Sequence, residues 1–140
     1  MIFCFVLINF FYNFIVHLIK MKKKIFVVEN DEAILEIVES LLVDEGYDVK
    51  AVRSGESIYE QIERYKPNVI LLDIIKPTDA GTELCRTLKA DKRTRHIPVV
   101  VMSTHAKVAE TIKSVCADEV VPKPFDIFDF LNAIQLQLSA

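Results

Sequence analysis

From Lys24 onward the chain alternates short β-branched runs with stretches whose apolar residues recur at helical spacing, five times over. The runs KIFVV at 24–28, YDVKAV at 47–52, NVILLD at 68–73, IPVVVMS at 97–103 and DEVV at 118–121 predict strands. The first, third and fourth are nearly all apolar, as strands covered on both faces read, whereas the second, with Val49 and Val52, reads as a less covered edge. Aliphatic stripes predict the helices between them: Ile34, Ile37, Val38, Leu41 and Leu42; Ile58, Ile62 and Tyr65; Leu84 and Leu88; Val108, Ile112 and Val115; Ile127, Leu131, Ile134 and Leu138. Gly46 is placed to stop the first of these helices, Ser54 to cap the second and Asp126 to cap the last. Strands and helices alternating through right-handed crossovers build an α/β fold, a doubly wound parallel sheet with helices on both faces.

Residues 1–20, MIFCFVLINFFYNFIVHLIK, follow a different pattern, with no acid, Gly, Ala or Pro. Two readings stand. Either Met21 is the true start and 1–20 is upstream sequence, or 1–20 is a membrane anchor of barely sufficient length. Asn9, Asn13 and His17 are four residues apart, so they share a helical face on which a packed anchor could bind a partner helix. In the anchored case Lys20 and Lys22 to Lys24 keep the remainder on the cytoplasmic side. No positive segment precedes the apolar run and no small-residue cleavage site follows it, which argues against a signal peptide. Residues 21–140 form the one folded domain that a chain of 140 residues accommodates.

Charge narrows the function. A formal net charge of −3 gives no basic field for counterion release, so nucleic acid is not an expected partner. The three cysteines, Cys4, Cys85 and Cys116, have no zinc-site or disulfide-framework spacing. Cys85 and Cys116 lie in helical patterns among aliphatic residues and read as small buried hydrophobes without a role, in a reducing compartment.

In open parallel sheets the ligand site lies beyond the carboxyl ends of the strands. Here those ends carry Glu29-Asn30-Asp31, Asp73 and Ser103-Thr104, and Lys123-Pro124 follows the fifth strand. Carboxylates collect a hard oxygen-seeking cation such as Mg²⁺, while a lysine and a hydroxyl hold phosphoryl oxygens. The set suits phosphoryl transfer to a carboxylate. A nucleotide- or flavin-binding reading fails on Glu29-Asn30-Asp31, which would repel phosphates where such proteins need a Gly- or Ser/Thr-rich loop.

These residues resemble those of the receiver domain of bacterial two-component response regulators over residues 24–140. The resemblance rests on Glu29-Asn30-Asp31, on DIIKPTDAG with Asp73, Pro77 and Gly81, on Ser103 after IPVVVM, and on Lys123-Pro124-Phe125-Asp126. It implies a flavodoxin-like, five-stranded sheet of order 2-1-3-4-5. It implies also that Asp73 is the phosphoacceptor, fed by a sensor histidine kinase or a histidine phosphotransfer protein. Ser103 and Lys123 would bind phosphoryl oxygens; Glu29, Asn30, Asp73 and the backbone carbonyl of Ile75 would form the Mg²⁺ shell; and the Lys123–Pro124 bond would be cis. The chain would be a stand-alone cytoplasmic switch rather than an enzyme, catalysing only its own phosphoryl transfer and dephosphorylation. Its unknown downstream protein would dock on the helix before the fifth strand, that strand and the final helix.

Two positions depart from the family. Asn30 stands where a second acid is usual, which removes a few kcal/mol of attraction for a dication at an effective dielectric of about 20 and weakens the expected Mg²⁺ binding. Val120 stands where an aromatic residue often reports the phosphorylated state. Asp31 is assigned to the helix start, and His105 to an exposed loop. Together Asn30 and Val120 support the alternative of a pseudo-receiver, an interaction module that does not require phosphate.

Overall fold

The computed structural model describes residues 1–21, 23–55, 57–75 and 80–139. The elements are α1 (Ile2–Met21), β1 (Lys24–Val28), α2 (Glu32–Asp44), β2 (Asp48–Val52), α3 (Ile58–Tyr65) and β3 (Val69–Asp73), then α4 (Ala80–Ala90), β4 (Val99–Ser103), α5 (Ala106–Val115), β5 (Glu119–Pro122) and α6 (Ile127–Ser139). The strands form one parallel sheet in the order β2-β1-β3-β4-β5. This is the expected order, and β2 is the edge that its sparse apolar residues announced.

Alternation along the strands divides the core in two. Phe26, Val28, Ile70, Leu72, Val99 and Val101 point to one face and bury Ile58 and Ile62 of α3, Cys85 and Leu88 of α4, and Val108 and Ile112 of α5. Ile25, Val27, Val69, Leu71, Val100, Met102 and Val121 point to the other, under Val38 and Leu42 of α2 and Phe130 and Ile134 of α6. Each large side chain buried in this way contributes about 1.5–3 kcal/mol.

Local chemistry sets the helix ends. Asp31 caps α2 by accepting the Ile34 N–H, as expected of it. After α2, Gly46 takes φ 93°, a left-handed conformation open to glycine, and donates its N–H to Val43 O. Asp126 Oδ1 accepts from the N–H groups of Phe128 and Asp129 and starts α6.

The structure corrects the sequence reading at three points. Ser54 does not cap α3: the residue before that helix is Ser57, at φ 66°, and the Ser54 N–H is donated to Asn30 Oδ1. Ile37, Val115 and Ile127 are exposed rather than core, because each helix touches the sheet along a line narrower than its apolar stripe. Cys85 and Cys116 are buried among aliphatic residues, yet they are joined as a disulfide with Cα atoms 5.8 Å apart. One cysteine sits in α4 and its partner just beyond α5, a juxtaposition created by the fold.

α1 stands apart from both faces of the core, with Phe3, Phe5, Phe10 and Tyr12 exposed. Asn13 donates to Asn9 Oδ1 at 3.3 Å, the shared face that their spacing predicts. Among the described residues no helix is long and apolar enough to cross a membrane. Lys22, and Pro77 of the DIIKPTDAG motif, lie outside the described residues, while Gly81 lies in α4.

Candidate functional site

The parallel register brings the strand ends to one edge. Val28 pairs with both Val52 and Leu72, and Asp73 with Met102, so Glu29, Asp73 and Ser103 emerge side by side. The Lys123 N–H donates to Ser103 O at 2.7 Å, which continues the β4–β5 ladder and carries the lysine to the same edge. The Lys123–Pro124 bond is cis, as the resemblance implied.

Three charges meet there. Lys123 Nζ donates to Glu29 Oε2 at 2.7 Å and to Asp73 Oδ1 at 3.0 Å. The side chains of all three are less than a tenth exposed, so water screens them little. Burial and the neighbouring Asp73 carboxylate raise the Glu29 pKa, against the opposing pull of Lys123 and the Asp31 N–H. Burial works against the Lys123 charge, but hydrogen bonds to Glu29 and then Asp73 outweigh it and hold the ammonium above its ordinary range. Two carboxylates against one ammonium leave a buried excess of negative charge.

The remaining predicted residues surround this triad. Asn30 is exposed and its Oδ1 accepts the Ser54 N–H at 2.8 Å, tying the end of β1 to the loop after β2. Ser103 is buried, and its Oγ accepts the His105 N–H at 3.2 Å while donating to His105 O at 3.4 Å. Ile75 is half exposed and, with Asn30 and Asp73, lines a cleft of about 500 Å³ between the loop after β2 and the start of α4. His105 is the exposed loop residue expected of it, and Val120 is half-buried against the core.

The donor set suits a hard divalent cation. Asp73, Asn30 and Ile75 line the cleft and offer only oxygen donors, while Glu29 lies buried behind Asp73 with its two oxygens on Lys123 and the Asp31 N–H. Among the described residues no group of three or more acidic, His or Cys side chains could hold a metal, so the carboxylates of the triad are two, Glu29 and Asp73, both bound to Lys123. The sequence reading missed that Asn30 is engaged by Ser54. No local signal carried that bond, because it links residues 24 apart.

Residues 25–135 match the profile of the response regulator receiver domain. The chain belongs to this family. It is a receiver domain of two-component signalling, and curated relatives and solved structures agree. The polar-differentiation response regulator DivK of Brucella ovis is 29% identical over 120 residues, covering 84% of this chain and 98% of DivK. The phosphate regulon transcriptional regulatory protein PhoB of Rhizobium meliloti is 28% identical, but this chain spans only 53% of it, and it spans 8% of histidine kinase P4 of Formosa agariphila, at 30% identity. Among solved structures, a CheY-like receiver domain protein from Methanospirillum hungatei superposes with TM-score 0.71 at 29% identity, over 84% of this chain and 94% of that one. The receiver domain of sensor kinase PA1611 from Pseudomonas aeruginosa, which holds a magnesium ion in its active-site cleft, matches in fold with TM-score 0.71 at 20% identity, over 84% and 98%.

Proposed function

We propose that Asp73 accepts a phosphoryl group from the phosphohistidine of a sensor histidine kinase or a histidine phosphotransfer protein, and that the modified domain signals by binding another protein. The observation that carries this reading is the Lys123 ammonium shared by Glu29 and Asp73 at the open edge of the sheet. Lys123 holds Asp73 Oδ1, which leaves Oδ2 to attack phosphorus as the bond to the donor imidazole breaks. Its ammonium then faces an acyl phosphate rather than a bare carboxylate and compensates the added charge. The Ser103 hydroxyl, bound to His105 O only at 3.4 Å, can turn to donate to a phosphoryl oxygen.

Glu29, Asp73, the Asn30 amide oxygen and the Ile75 carbonyl are the groups that would hold Mg²⁺, which supplies charge neutralisation of the phosphoryl group when bound. With one acid fewer than is usual, that binding is weak. The output surface is α5, β5 and α6, since Ser103 and Lys123 join the site directly to the start of α5 and the end of β5. The domain works in the cytoplasm. Residues 21–140 form the functional unit.

Incubating the protein with acetyl phosphate and Mg²⁺ tests the reading. Intact mass rises by one phosphoryl group, and the increase disappears in Asp73→Ala. The pseudo-receiver alternative rests on Asn30, which leaves the site one acid short and whose amide oxygen also serves the Ser54 N–H, and on Val120. It predicts no mass increase for the unmodified sequence.

A further inference from the structure

The Cys85–Cys116 disulfide takes no part in the phosphoryl chemistry, yet it sits where α5 is fixed to the rest of the domain. Cys116 is the C-cap of α5, and Cys85 lies one turn before Lys89 on α4. Lys89 Nζ meets Asp118 Oδ2 at 2.5 Å and donates to Ile97 O at 2.9 Å, and Asp118 also accepts the Val99 N–H at 2.8 Å. One covalent and one ionic link, a helical turn apart on α4, therefore clamp the passage from α5 into β5.

Among the described side chains of α5, Val108 and Ile112 are the buried ones, and His105 provides no side-chain cap. Its first turn adjoins Ser103 through the His105 N–H, so the helix runs from the phosphoryl site at one end to the disulfide at the other.

We propose that Cys85 and Cys116 form a reversible redox site whose disulfide locks α5 against α4 and opposes the rearrangement of α5 that phosphorylation demands. The last clause rests on the function proposed above; the redox site itself does not. The oxidant is a small-molecule disulfide of the glutathione class. A protein thiolate attacks one of its sulfurs and releases a thiolate; the second protein thiolate attacks the mixed disulfide and releases the other. The protein dithiol loses two electrons and two protons, and one small disulfide becomes two thiols. Exchange enters at Cys116, which is 7% exposed where Cys85 is fully buried.

The whole chain is equilibrated with oxidised or reduced glutathione, quenched in acid and alkylated in denaturant, with exposed Cys4 as the internal control. The oxidised sample carries two fewer alkyl groups than the reduced one, and amides of α5 exchange about tenfold more slowly in it, a difference absent from Cys85→Ala/Cys116→Ala. Equal alkyl counts in the two states, or α5 exchange indifferent to redox state in the unsubstituted chain, overturn the redox lock. Acetyl phosphate is then added to both forms. A reduced form that gains no phosphoryl group refutes the function at Asp73 while the exchange contrast stands. If both forms are phosphorylated and α5 responds equally in each, the coupling is refuted. An α5 response at least several-fold larger in the reduced form supports it.

Discussion

At the residue scale the site turns on how one ammonium serves two buried carboxylates. Replacing Lys123 with Met leaves Glu29 and Asp73 facing each other without a counter-charge, and removing one partner of a buried ionic cluster costs about 3 kcal/mol. Urea denaturation of Lys123→Met is expected to show that loss. At the proposed Mg²⁺ site the cation would bind only the folded variant and take over the missing charge, so millimolar Mg²⁺ is expected to recover part of the loss and to raise the variant's midpoint more than that of the unsubstituted protein. Asn30 sets the other limit. Its amide oxygen accepts from Ser54, a bond that an aspartate keeps while adding a full negative charge beside the cation site. Asn30→Asp is expected to tighten Mg²⁺ at least about tenfold, or ~1.4 kcal/mol, by isothermal titration calorimetry. An unchanged affinity would mean that position 30 lies outside the metal shell.

At the element scale, β1 and β3 were legible almost to the residue, because Ile25 to Val28 and Val69 to Leu72 are unbroken apolar runs buried on both faces. The start of α3 was not. Ser54 looked like a cap from its position, but Ser57 enters the left-handed region ahead of the helix, a conformation that no side chain there announces. The disulfide was hidden for a different reason. Cys85 and Cys116 are 31 residues apart in separate helical patterns, and only the packing of α4 and α5 on one sheet face brings them together. Asp31 shows how a structural role can be separated from a functional one. It stands beside the site residues, yet its side chain caps α2. Asp31→Ala is expected to cost about 1 kcal/mol in thermal or urea unfolding while leaving phosphoryl uptake from acetyl phosphate unchanged. A loss of uptake without a loss of stability would place Asp31 in the metal shell instead.

At the scale of the whole molecule, the site was legible because parallel strands deliver all their carboxyl ends to one edge, so residues separated by as many as 94 positions could be assigned to a common place. The inner geometry was not legible, since nothing in the order of residues says that Lys123 divides itself between Glu29 and Asp73. The same topology sets what the fold can do without. Both core faces draw their buried residues from Ile25 onward, whereas the side chains of α1 from Ile2 to Phe14 are mostly exposed phenylalanine and aliphatic groups. A helix that buries little of itself adds little to the folded state, and contiguous exposed apolar surface of that kind drives association instead. A chain beginning at Met21 is therefore expected to unfold within a few degrees of the full chain. It is expected also to elute as a smaller species in size-exclusion chromatography and to keep its response to acetyl phosphate. A fall in the unfolding midpoint of more than about 8 °C, the shift that ~1 kcal/mol gives in the smallest domains, would show that α1 packs on the domain after all.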